Sequence, residues 1–148
     1  MSELQCLIYV STAASGLAAL DVESIVTKSA TLNQRDGVHG MLLLSDGSFM
    51  QCIEGEVNGV EKTYARIQAS RLHHRVIELF RSPVATRRFK TWEWAFKLNA
   101  HREFSNPHLD IFLEAPRHDQ PVVWRNLAME QKILREFWDT KANPLRIW

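Results

Sequence analysis

Four polar side chains stand among apolar neighbours where ligand chemistry is feasible: Tyr9, Asn33, Gln51 and Arg66. Gln51 is the least expected of them. In the extended stretch Phe49 to Glu54 it shares a face with Phe49 and Ile53, while Met50, Cys52 and Glu54 share the other. A buried amide without partners costs about 1–3 kcal/mol, so Gln51 is expected to be held by hydrogen-bonding groups on the core side. A phenol, two carboxamides and a guanidinium offer such a network both donors and acceptors. They do not offer hydrolysis: no nucleophile, base and orienting residue stand together, and the serines near Ser11 have no histidine close in sequence. GVHG and EGEVNG lack the spacing of a nucleotide cradle. No metal site is expected, because Cys6 and Cys52 form no CxxC and the His73-His74 pair sends adjacent rings in different directions.

Placing these groups takes a small set of elements. Leu4 to Val10 reads as a first strand, with Leu7 and Tyr9 on one face and Cys6, Ile8 and Val10 on the other. A helix from Leu17 or Ala18 to Asn33 puts Ile25, Ser29, Leu32 and Asn33 on one face. Asn33 either helps to end that helix or turns its amide toward a ligand. Val38 to Leu44 and Phe49 to Glu54 flank Ser45-Asp46-Gly47-Ser48, the clearest hairpin in the chain. Asn58, with Glu61 three residues on, is expected to cap a second helix whose apolar face is Val60, Tyr64 and Ile67, with Arg66 beside it. Arg75 to Arg81, broken by Ser82-Pro83, and Thr91 to Leu98 read as the fourth and fifth strands.

The order βαββαββ is a ferredoxin-like α+β plan, a five-stranded mixed sheet with both helices on one face by right-handed crossover. The opposite face needs a cover. Residues 101–148 can supply it, with helices expected from Asn106 to Glu114 and from Val122 to about Thr140; these either pack on that face or meet another subunit. The chain thus divides into residues 1–100 and a helical extension, 101–148. The groove between the first two helices is a slot for a flat ligand, in which Tyr9, Asn33, Gln51 and Arg66 converge between Ile25 and Ile67.

Bulk properties agree with a soluble binding domain. With 148 residues, 45% of them hydrophobic and 24% charged, the chain suits one globular unit. A net charge of +1 gives no electrostatic case for nucleic acid or an acidic membrane. The apolar runs fall far short of the ~20 residues that span a bilayer, and MSELQC has no signal-peptide pattern. A cytoplasmic location is expected.

LIYVS from Leu7, GVHGMLLL, SFMQCIEGE, TYARIQAS, RLHHRVIEL and RRFKTWEWAF, in that order, resemble the BLUF domain, a flavin-based blue-light sensor, in its short stand-alone form. The resemblance implies a flavin held noncovalently between the two helices, FAD most often, with FMN or riboflavin as alternatives. Tyr9 matches the family's photoactive tyrosine and Gln51 the glutamine that bridges it to the flavin. Blue light then moves an electron and a coupled proton from Tyr9, and leaves the Gln51 amide rearranged. Asn33 matches the asparagine that bonds the ring, while Ile25, Ser29, Arg66, Ile67 and His73 complete the implied cofactor-binding set. Trp92 keeps the family's tryptophan, and Trp94 stands where a methionine is usual; the two are assigned to signal relay, Trp94 either by packing or as a second electron donor. His39, Val10, Leu72 and Ser70 also depart from the family pattern, the last two where the flavin tail is held.

The implied function is a photosensory switch without catalytic turnover, since the extension has no room for a cyclase or phosphodiesterase. Its partners would be flavin, a separate downstream signalling protein and further copies of the chain. The alternative is a light-insensitive ferredoxin-like domain that binds a ligand or another protein.

Overall fold

In a computed structural model, residues 3–15, 19–45, 47–87, 89, 92–99, 102–105, 132–134 and 136–137 are described. Strand β1 (Leu4–Ala13) lies between β3 (Ser48–Glu56) and β4 (His73–Val84), antiparallel to both. β2 (His39–Ser45) forms the hairpin with β3, and β5 (Trp92–Asn99) runs parallel to β2 on its far side. Helix α1 (Ala19–Arg35) connects β1 to β2 and α2 (Val57–Ala69) connects β3 to β4. This is the ferredoxin-like α+β fold. Among the described residues its sheet has six strands in the order β4-β1-β3-β2-β5-β6, not the five expected, because β6 (Arg102–Ser105) pairs antiparallel with β5 and carries the sheet past residue 100.

Strand alternation sorts the core into two layers. Leu7, Tyr9 and Ile53 face α2, where they pack with Val38, Val60 and Tyr64. Cys6, Ile8, Met41, Leu43, Met50 and Cys52 face the other way and meet Phe89 and Leu134. The two thiols are small core groups, as expected, with Sγ atoms 3.2 Å apart. Leu134 answers where part of the tail goes: it sits fully buried on the face opposite the helices, in a helical segment with Ile133 and Phe137. Burying that leucine contributes on the order of 2 kcal/mol. The helix expected from Asn106 to Glu114 lies outside the described residues.

Several boundaries differ from expectation. α2 starts directly from β3 at Val57, and its N-cap is Glu56 without a side-chain cap bond. Asn58 is therefore inside the helix. The Val57 N–H is taken instead by the carbonyl of Glu3, the residue before β1, at 3.3 Å, so the chain entering β1 supplies what a capping side chain would have. β4 runs through Pro83 rather than stopping before it, which an edge strand permits because its outer N–H groups have no ladder partner to lose.

The connection from β4 to β5 is pinned by a residue that alternation alone did not single out. Glu54 is fully buried on β3, and its Oε1 accepts the Phe89 N–H at 2.6 Å. His39 Nδ1 donates to the Phe89 carbonyl at 2.9 Å, and Arg87 donates to the carbonyls of Gly37 and Glu54.

β2 and β3 approach so closely that a Cβ on Gly40 would stand 1.9 Å from the Cys52 carbonyl oxygen. Gly40→Ala should destabilise the fold by roughly 3 kcal/mol, the upper end for overpacking. Gly47, in the hairpin turn with φ 78°, has nothing within 4 Å of such a Cβ, so Gly47→Ala should cost about 1 kcal/mol, from backbone strain alone. Urea unfolding of the two variants checks the order.

Candidate functional site

The floor of the groove is one step of the β1–β3 ladder, where Tyr9 stands directly opposite Gln51. Side chains so placed project from the same face within about 5 Å of each other at Cβ, and here the phenol reaches the amide. Tyr9 Oη donates to Gln51 Oε1 at 2.5 Å. Both groups are inside, at 2% and 4% exposure. With Oε1 accepting from Tyr9, the NH₂ of Gln51 is the donor end of an amide that lines a cavity of about 200 Å³. Burial, reinforced by the neighbouring Tyr64, raises the Tyr9 pKa far above the usual phenol range. Tyr9 therefore remains a neutral O–H donor.

α1 forms one wall. Ile25, Ser29 and Asn33 recur every four residues and line the same cavity. Asn33 is 3% exposed, and its Nδ2 has no hydrogen-bond partner among the described residues. The backbone of Asn33, not its amide, serves the helix end: its carbonyl accepts the Val38 N–H at 2.8 Å, and α1 continues to Arg35. A buried donor left in this way carries a desolvation cost that a ligand acceptor would remove.

α2 forms the facing wall with Thr63, Arg66 and Ile67. Arg66 Nη1 donates to Asp36 Oδ2 at 2.5 Å and Nη2 donates to Thr63 Oγ1 at 3.3 Å. The hydrogen bond from Arg66, more than any other neighbour, holds the Asp36 carboxyl below its ordinary pKa, and Arg35 acts in the same direction. At the end of the groove, His73 is wedged between α2 and β1. Its Nε2 donates to the Ile67 carbonyl at 2.6 Å, and its Nδ1 shares a hydrogen bond with Ser11 Oγ at 2.6 Å. The carbonyl can only accept, so a neutral ring carries its hydrogen on Nε2 and takes the Ser11 hydroxyl on Nδ1. The ring meets those of Tyr9 and Phe49 edge-on, with centroids 6.0 and 5.9 Å apart.

All eight residues expected at the cofactor line one cavity: Tyr9, Ile25, Ser29, Asn33, Gln51, Arg66, Ile67 and His73. Trp92 and Trp94 enter by backbone register, opposite Gly40 and Leu42 of β2; their side chains lie outside the described residues. Leu42 itself pairs with Gln51, so one row of the sheet runs Tyr9, Gln51, Leu42, Trp94 across four strands. Sequence reading missed Asp36, three residues past the expected end of α1 at Asn33, and Ser11, one residue past the expected end of the first strand at Val10, although β1 extends through Ser11 to Ala13. Neither had a local signal, since their partners are 30 and 62 residues away. Among the described residues, no group of three or more His, Cys, Asp or Glu could hold a metal ion, and no helix is long and apolar enough to cross a membrane.

Comparison with known proteins gives a consistent answer. The model of the BLUF family, described as sensors of blue-light using FAD, matches residues 4–95. The photoactivated adenylate cyclase subunit alpha of Euglena gracilis is 32% identical over 85 residues, which are 57% of this chain and 8% of that protein. The chain thus spans under a tenth of the length of that relative. The dark-state structure of BlrB, a BLUF protein, is 25% identical with a TM-score of 0.64, covering 96% of this chain and 98% of that one. A bacterial light-regulated adenylyl cyclase shares the fold at 22% identity and a TM-score of 0.63, over 97% of this chain and 35% of its own.

The raised pKa of Tyr9 has a pH consequence. Below about pH 10, the ordinary phenol pKa, Tyr9 is neutral whether the chain is folded or not and adds no pH dependence. Above it only the unfolded phenol ionises, so stability falls as pH rises. Tyr9→Phe should lose less stability than the wild type between about pH 9 and 11. Urea midpoints measured across that range check it, and parallel declines would contradict the assigned burial.

Proposed function

Because the chain belongs to the BLUF family, the sensors of blue-light using FAD, we propose that it is a blue-light receptor that binds flavin noncovalently between α1 and α2 and signals through Tyr9 and Gln51. The observation that carries this reading is the buried 2.5 Å hydrogen bond from Tyr9 to Gln51 on the floor of an apolar groove.

The residues present suit a flavin ring. Asn33 Nδ2, unpartnered among the described residues, supplies a buried donor for a ring carbonyl or nitrogen, Ile25 and Ile67 supply apolar walls, and the Gln51 amide offers a donor beside the phenol. When bound, the flavin supplies absorption of blue light and an excited state able to take an electron from a nearby phenol. With the flavin bound, Tyr9 would be the electron donor and Gln51 Oε1 would receive the proton along the hydrogen bond that the Tyr9 hydroxyl donates, and both electron and proton would return to Tyr9 on recombination. When the phenol is restored, the Gln51 amide is left rearranged, by rotation, tautomerisation or both, with a changed set of groups presented to its neighbours. Burial keeps water from exchanging those bonds, so the new pattern lasts until it relaxes thermally.

The signal leaves along the register row from Gln51 through Leu42 to Trp94, and so into β5, β6 and the tail. Trp94 acts here as a packing element, and Tyr9 is the electron donor. The chain has no turnover of its own in this reading and acts on a separate signalling protein. The photoactivated cyclase matches this chain over 8% of its own length, so its name as a cyclase covers much more than the shared stretch. A tenfold change in partner affinity takes about 1.4 kcal/mol, within the range of one exchanged buried hydrogen bond.

The test is the visible absorption spectrum of the flavin-loaded protein in darkness and just after blue light. A small red shift that recovers in the dark is expected from the wild type. Tyr9→Phe should keep the flavin and lose the shift. A wild type that takes up no flavin, or a Tyr9→Phe variant with a normal photocycle, would overturn the reading.

A further inference from the structure

Asp36 has no part in the mechanism above, yet it is the residue that joins the two walls of the cavity. It lies in the turn that ends α1, where its N–H bonds the Leu32 carbonyl at 3.1 Å and Gly37 follows with φ 65°. α2 approaches that turn so closely that a Cβ on Gly59 would stand 2.4 Å from the Asp36 carbonyl oxygen. Across this contact the Asp36 carboxylate takes Arg66 on Oδ2 at 2.5 Å and Arg35 on Oδ1 at 3.3 Å. Arg35 is mostly exposed, whereas Arg66 lines the cavity and is steadied a second time by Thr63, itself buried. A lone arginine on a cavity wall would be a mobile cation. Here it is tethered at two of its nitrogens and beside a carboxylate.

We propose that Asp36 is a positioning residue for the flavin site: it holds the Arg66 guanidinium at the α2 wall and cancels its charge. A bound ring then meets oriented N–H donors instead of a free cation. The inference rests on the flavin reading above. Two consequences follow from the chemistry. Orientation set before binding strengthens binding, because a planar guanidinium already held in one geometry loses little freedom when it donates to a ligand. Charge cancellation limits how far the protein stabilises added electron density on the ring, since a nearby uncompensated cation favours the reduced form. Asp36 therefore tunes the affinity for the ring and its readiness to accept an electron from Tyr9, without touching the ring itself.

The experiment uses Asp36→Asn, which keeps the size and removes the charge, with Asp36→Glu as the conservative rescue and riboflavin as the probe, since it carries no phosphate to attract a freed arginine. Asp36→Asn should bind riboflavin about tenfold more weakly, and the reduction potential of the bound riboflavin should move to more positive values. Asp36→Glu should restore the wild-type potential. An unchanged affinity and potential in Asp36→Asn would overturn the inference while leaving the flavin reading intact. Weaker binding with no change in potential would overturn charge cancellation and reduce Asp36 to a structural tie. A wild type that does not bind riboflavin, FMN or FAD would overturn the flavin reading itself, and this inference with it.

Discussion

A phenol and an amide facing each other across one rung of an antiparallel ladder set the terms for the rest of this molecule. Tyr9 and Gln51 are both buried, and each is an acceptable interior residue largely because the other is there. Their meeting depends on register. A slip of one residue between β1 and β3 would turn Tyr9 or Gln51 to the opposite face and leave a polar group among Cys6, Ile8 and Cys52. The apolar alternation of both strands opposes that slip, so the hydrophobic pattern that builds the fold also aligns the polar pair.

The sheet divides its labour by face. Residues that point toward α1 and α2 surround a cavity and include most of the buried polar side chains, whereas those on the other side form an apolar layer closed in part by Leu134. Glu54 is the exception on that second face. Its carboxylate holds the Phe89 N–H while Arg87 and His39 bond the nearby carbonyls, and β5 begins three residues later. The chain therefore enters β5 from a fixed point. That matters for a strand in register, through Leu42, with the Tyr9–Gln51 pair.

How much of this was legible before folding depended on how local the evidence was. The hairpin, the two amphipathic helices and the alternation of the strands are written in stretches of ten or so residues, and the folded boundaries differ from those local signals by a few positions. α2 begins earlier than its capping signal because the Glu3 carbonyl, just before β1 and remote in sequence, takes the first N–H. β4 ran through Pro83 because it is an edge strand, a property of the sheet and not of the segment. β6, with four residues, is too short to show a period at all.

By itself the sequence determined the order of elements through β5, the α+β class and, because alternation and helical spacing assign faces without reference to anything distant, several of the residues that line the cavity; the family resemblance, carried by the motifs, added His73. Only the tertiary structure decided what those residues do to one another. It left Asn33 Nδ2 unpartnered among the described residues, tied Arg66 to Asp36, set His73 between Ser11 and Ile67, and put Glu54 under the start of β5. The physical reason is range. Burial pattern is a property of neighbours along the chain, whereas a hydrogen bond between side chains thirty or sixty residues apart exists only once the sheet has brought them together.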